Sequence, residues 1–208
     1  MSRFSHIVSY LTHPIFQPLL LVALLALAPL TGGEGVSVQK WAAPLLLVTI
    51  TTLLTPLLFI NVLKNKGIVS DIMMRERTTR TSVYALMCLL FPLLGWGCMK
   101  LGYDNTLTLF CFEAYLLLTA ILFINLYWKI SIHCAGMGAL AVNTAIVFVM
   151  HGSGAAMLAG AVISGLLGAL TIYARLDTQS HTPLQCIAGY ALGLCLPLVF
   201  MSAIYFLL

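Results

Sequence analysis

Three short stretches hold most of the residues in this chain that are equipped for chemistry. One runs Asp71-Ile72-Met73-Met74-Arg75-Glu76-Arg77-Thr78-Thr79-Arg80, the next Lys129-Ile130-Ser131-Ile132-His133, and the third Arg175-Leu176-Asp177-Thr178-Gln179-Ser180-His181-Thr182-Pro183-Leu184-Gln185. Guanidinium groups suit a tetrahedral oxyanion, because each fork donates two parallel hydrogen bonds. Two histidines beside them supply a nucleophile or base and an acid. Such a set points to phosphate-ester chemistry. Local helix signals agree with that reading. Ser131 is placed to cap a helix, whose first amides and positive dipole end favour an anion. Thr182-Pro183 reads as a cap followed by proline at the first helical position, which starts a second helix just after His181.

The elements that must position these groups follow from composition. Of the 208 residues 61% are hydrophobic and 8% charged, far below the quarter or so charged residues of a soluble domain, so a membrane class is the one that fits. A spanning helix needs ~20 apolar residues. Pro14 to Gly33, Trp41 to Leu63 and Thr81 to Met99 are free of formal charge, and Asn105 to Trp128 carries only Glu113. Ile130 to Ala174 is too long for one crossing and is divided by His151-Gly152-Ser153-Gly154, and Thr178 to Leu208 supplies the last. The expectation is an all-α integral membrane protein, a bundle of six to seven transmembrane helices forming one domain over residues 1–208. The first span is bounded by proline and has no small-residue cleavage pattern after it, so it reads as retained in the membrane. The six cysteines lie in or beside apolar spans without a Cys-x-x-Cys pair and read as small buried hydrophobes. The ridges Gly160, Ser164, Gly168 and Ala161, Gly165, Ala169 read as helix packing.

With alternating spans, Arg3, Lys64, Lys66, Arg75, Arg77, Arg80, Lys129 and Arg175 share one side, and only Lys40 and Lys100 take the other. Basic loops favour the cytoplasm. Arg80, Lys129 and Arg175, however, sit at span ends, where a cation is costly and is usually retained for an anion it binds. Without those three the bias is too thin to orient the chain.

The Arg175, five residues, His181, three residues, Gln185 pattern resembles the third signature of the type-2 phosphatidic-acid phosphatase superfamily, Ser-Arg, five residues, His, three residues, Asp. Ser131-Ile132-His133 resembles its second, Pro-Ser-Gly-His, and Arg80 stands where the arginine ending the first would fall. The resemblance covers about half of the chain. It implies a metal-independent phosphatase without cofactor, acting on a phospholipid or polyprenyl phosphate in the bilayer. His181 would be the nucleophile, His133 the acid that protonates the leaving alkoxide, and Arg80, Ser131 and Arg175 phosphate ligands. It further implies a bacterial inner membrane, with the site on the extracytoplasmic face.

The sequence departs from the pattern in several places. Ala174, Ile130, Ile132 and Thr81 replace the family's serine, proline, glycine and proline, and Met73 replaces a lysine for which Lys129 or Arg77 is the candidate substitute. Gln185 replaces the carboxylate that holds the nucleophilic histidine. An amide can still fix the tautomer but lacks the charge that stabilises an imidazolium. Thr182-x-x-Gln185 is also a capping-box pattern, so Gln185 suits either role. His13 reads as an interfacial residue, and Glu113 is a costly carboxylate of open purpose. The competing function is a non-catalytic lipid-phosphate binding or transport protein. A charge of +4 spread over the whole chain is no nucleic-acid footprint, and nothing in the sequence sets an oligomeric state.

Overall fold

Proline, serine and threonine decide where the helices of this chain start and break. The computed structural model describes residues 2–27, 37–68, 77–150 and 154–207, and every regular element among them is helical. The elements are α1 (Arg3–Leu11), α2 (Gln17–Leu27), α3 (Val38–Val48), α4 (Thr55–Asn65), α5 (Arg77–Lys100), α6 (Asn105–Tyr127), α7 (Ile132–Met150), α8 (Gly154–Asp177) and α9 (Pro183–Leu207). They supply seven helical stretches long and apolar enough to cross a membrane, as many as the sequence leads one to expect. His151, Gly152 and Ser153, read from sequence as the divider between two spans, lie outside the described residues, and α8 opens at Gly154.

The first stretch differs from expectation. It begins at Arg3 rather than Pro14 and runs to Leu27 with a break in the middle. The break follows from Pro14, which disfavours the α conformation in the residue before it. His13 is accordingly extended, at φ −63° and ψ 132°, and Pro14–Phe16 restart the chain as a single 3-10 turn. Pro56 acts differently further on. Thr55 before it stays helical, at φ −60° and ψ −49°, and Pro56 follows a π-helical stretch, Thr49–Leu54, at whose end Thr55 bonds back to Ile50 through both its amide and its hydroxyl.

The chain divides into two compact units, residues 1–42 with 130–208, and residues 43–129. In the second, α5 packs along α6. Gly95 permits the approach, since a β-carbon there would lie 3.1 Å from that of Cys111, and Asn125 donates to Thr81 Oγ1 at 3.1 Å. Glu113 is fully buried on α6.

In the first unit α7 is the core helix, covered by α2, α8 and α9. Its approach to α9 is backbone on backbone. A β-carbon on Gly193 would run into the Ala135 carbonyl oxygen, and one on Gly189 would lie 2.5 Å from that of Ser131. The small residues of α8 do part of the work expected of them. Gly160 packs under Thr144 and Phe148, and Gly168 under Tyr190, whereas Gly165 faces open space.

A candidate phosphate site at three helix ends

Arg175 and His181 are joined by a tight corner. Past the last turn of α8, Ser180 N–H donates to Arg175 O at 3.1 Å and Gln179 N–H to Leu176 O at 2.9 Å. This is a Schellman ending, which needs one residue in the left-handed region. Gln179 takes that position at φ 50°, where glycine is the usual occupant. Thr178, buried, ties the corner down by donating to Ala174 O at 2.7 Å.

The start of α9 then settles what Gln185 does. Gln185 N–H donates to Thr182 Oγ1 at 3.4 Å, and Thr182 N–H donates to Gln185 Oε1 at 3.2 Å, a complete capping box. His181 Nδ1 lies 3.1 Å from the same Oε1. The two roles that the sequence offered as alternatives are thus filled by one oxygen. The chemistry of the donors fixes the tautomer as well. A backbone N–H can only donate, so the atom facing Thr182 is the amide oxygen, and His181 must donate to it from Nδ1. The lone pair of His181 is left on Nε2.

α7 begins beside this corner. Ser131 caps it, accepting from Cys134 N–H at 3.4 Å, while its hydroxyl donates to Cys134 Sγ at 3.2 Å. The first-turn amides of Ile132 and His133 lie outside the helix's own ladder. The starts of α7 and α9 are stitched together by Ser131 N–H donating to Gln185 O at 3.3 Å and by a hydrogen bond between the free thiols of Cys134 and Cys186. His133 and His181 are therefore held on one rigid pair of helix ends. His133 is buried, its ring bonds to the Ser9 backbone carbonyl, and Arg175, His181 and His13 are all within electrostatic reach of it.

The wall that α1 provides is absent from the sequence-based picture. This helix turns its hydroxyl residues inward and its large apolar residues outward. Ser5 and Thr12 are buried, as is the Ser9 hydroxyl, while Phe4, Ile7 and Leu11 are exposed. Asp177 anchors the helix by accepting from Ser2 N–H at 3.0 Å. His13, expected at an interface, packs instead against His133, with ring centroids 4.9 Å apart and planes at 85°. The recurrence Ser2, Ser5, Ser9, Thr12 at helical spacing was the available signal.

His133, Arg175, His181, Gln185 and Ser131 are thus brought together within the first unit, and His13 joins them. The remaining candidates belong to the second unit. Arg80 is half-buried in the first turns of α5, and its Nε has no hydrogen-bond partner among the described residues. Lys129 is exposed beyond α6, next to exposed Trp128 and Tyr127. Arg77 opens α5, but its side chain lies outside the described residues, as do Asp71, Met73, Arg75 and Glu76.

No family model matches the chain, and no curated protein or solved structure matches it either.

Among the described residues no three His, Cys, Asp or Glu side chains are arranged to hold a metal ion. What the first unit does present is a guanidinium, helix-start amides and imidazoles, each ring oriented by a neutral group. Asp177 is its sole carboxylate among the described residues and is engaged with Ser2. That donor-rich balance suits an anion. An Nε2 lone pair in the same site has the chemistry of a nucleophile or a base.

Proposed function

We propose that this chain is an integral membrane protein that hydrolyses a lipid phosphate or diphosphate through a phosphohistidine. The observation that carries the reading is the hydrogen bond from His181 Nδ1 to Gln185 Oε1, which turns the Nε2 lone pair of His181 into a nucleophile next to His133 and Arg175. The seven apolar helical stretches support a place in the bilayer. The spacing of Arg175, His181 and Gln185, with its resemblance to the lipid-phosphatase signature, supports the reaction class.

In this reading Arg175 and the first amides of α7, which Ser131 caps, hold the phosphoryl oxygens. His181 Nε2 attacks phosphorus, and the bond to the leaving oxygen breaks as His133, protonated, gives that oxygen its proton. Ser9 O retains the other N–H of His133 throughout. Water then attacks the phosphohistidine with His133 as base, the P–N bond breaks, phosphate leaves, and both imidazoles return to their starting states.

One observation favours a second reading, a lipid-phosphate binding or transport protein. The oxygens that hold the two histidines belong to an amide and a backbone carbonyl, which orient the rings without stabilising an imidazolium as a carboxylate would. Purified protein assayed against polyprenyl diphosphate, phosphatidic acid and a phosphorylated glycolipid, with chelator present, separates the two. The phosphatase reading predicts phosphate release from at least one of them. A strict need for a divalent ion in turnover removes the proposed chemistry, and tight binding of every lipid without release leaves the transport reading.

A further inference from the structure

Three imidazoles meet in this site, and their hydrogen bonds put each in a different state. His181 donates from Nδ1 to Gln185, leaving its lone pair on Nε2. His133 donates one ring N–H to Ser9 O. His13 has the reverse polarity: its Nδ1 accepts from Ile15 N–H at 3.2 Å, as the cap of the 3-10 turn that Pro14 begins. An N–H donor facing Nδ1 requires a lone pair there, so the His13 proton sits on Nε2. A second proton on Nδ1 would set N–H against N–H and uncap the turn. His13 is held neutral by its own backbone.

The groups that face His133 make that neutrality matter. They are Arg175 from α8, His181 from the corner before α9, and His13 from the turn after α1; the thiols of Cys134 and Cys186, at the starts of α7 and α9, lie within reach of Arg175. Two imidazoles and a guanidinium at this separation cannot all be cationic at modest cost, because the like charges repel in a poorly screened site. The ring that can take the charge is the one whose N–H groups meet acceptors. His133 has Ser9 O for one N–H and a leaving oxygen for the other, whereas His13 meets a donor.

We propose that His13 is a positioning residue for His133: a neutral ring, packed at right angles to it, that fixes the rotation of the acid's ring and leaves the transferable proton there. In its bearing on turnover the inference rests on the phosphatase reading, and in its bearing on ring states it stands apart from it.

Full-length protein in detergent, labelled with 15N-histidine, tests the second part without any substrate. His13 is expected to show the neutral Nε2–H pattern from pH 5 to 8. His133 should give one sharp signal that shifts or splits in His13→Ala and is restored in His13→Phe. A His13 that becomes an imidazolium in that range, or a His133 signal indifferent to all the substitutions, overturns the inference. With a lipid phosphate as substrate, His13→Ala should lower kcat about 10- to 100-fold with KM changed less than about threefold, the signature of a misplaced catalytic group. His13→Phe should recover to within about fivefold of the parent, since it restores a neutral ring of similar footprint. His13→Lys should move the basic limb of kcat/KM to lower pH, a cation beside His133 making its protonation harder. Full activity in His13→Ala, or a raised KM with no rescue by phenylalanine, counts against positioning. If the parent releases no phosphate from any lipid, the phosphatase reading fails and the ring spectra still decide the state of His13.

Discussion

Replacing His181 with alanine is expected to lower turnover by at least about 10³-fold while phosphate binding survives, because covalent attack and anion holding are separate contributions. In the proposed mechanism Arg175 and the start of α7 hold the anion, and neither depends on the His181 ring for its place. The Schellman corner is built from Ser180, Gln179 and Thr178, and the capping box from Thr182 and Gln185. Gln185 provides the graded control. Gln185→Ala removes at once an orienting oxygen and half of the capping box, so it should slow turnover and cost about 1 kcal/mol of stability. Gln185→Glu keeps the reach of the side chain and both acceptor bonds while adding a charge that stabilises the imidazolium, so it should match or exceed the parent rate. A shorter aspartate has to move to reach both partners. If Gln185→Ala loses stability and turns over normally per folded molecule, capping is its whole role. Vanadate or inorganic phosphate binding, kcat and thermal stability measured on the three variants test the set.

His133→Asn is expected to cost about 10²–10⁴-fold on an alkyl phosphate, the range general acid catalysis supplies, and about tenfold or less on an aryl phosphate whose leaving group needs no proton. Asparagine is the chosen substitute because its amide N–H can keep the bond to Ser9 O. The dependence on leaving group is what a structural defect does not reproduce: a misfolded site loses both substrates alike. Equal losses on alkyl and aryl phosphates, measured as kcat/KM, would remove His133 as the acid.

Sequence alone made the helical framework and the charged core of the site legible, for identifiable reasons. Long charge-free runs announce apolar helices, and Ser131 and Thr182-Pro183 announce helix starts, so His133 and His181 fall at helix ends in the structure as the sequence implies. Arg175 and His181 lie six residues apart across one corner, and local geometry alone brings them together. Hidden from that approach was everything that depends on which helix covers which. An apolar run counted from Pro14 leaves out α1, whose polar face is turned inward and whose apolar face is turned out, the inverse of a surface helix in water. His13 looked interfacial because its partner is remote in sequence. The orienting group of His133 is a backbone carbonyl, which every residue carries and no sequence pattern marks. The close packing that aligns the two helix starts uses Gly189 and Gly193 of α9, whereas the small-residue ridges that stand out in the sequence are those of α8. The division of the chain into two units is a further matter of tertiary packing, with no linker or composition change in the sequence to mark it.

Central to the proposed mechanism is that His181 takes the phosphoryl group. The most direct measurement mixes purified protein with a 32P-labelled lipid phosphate or diphosphate, quenches in base within a turnover, and maps the label. A phosphoramidate that survives base and is lost in acid, on the peptide containing His181 and absent from His181→Ala, is the result expected. Rapid phosphate release with no covalent label at any quench time, or a label that persists in His181→Ala, would contradict it.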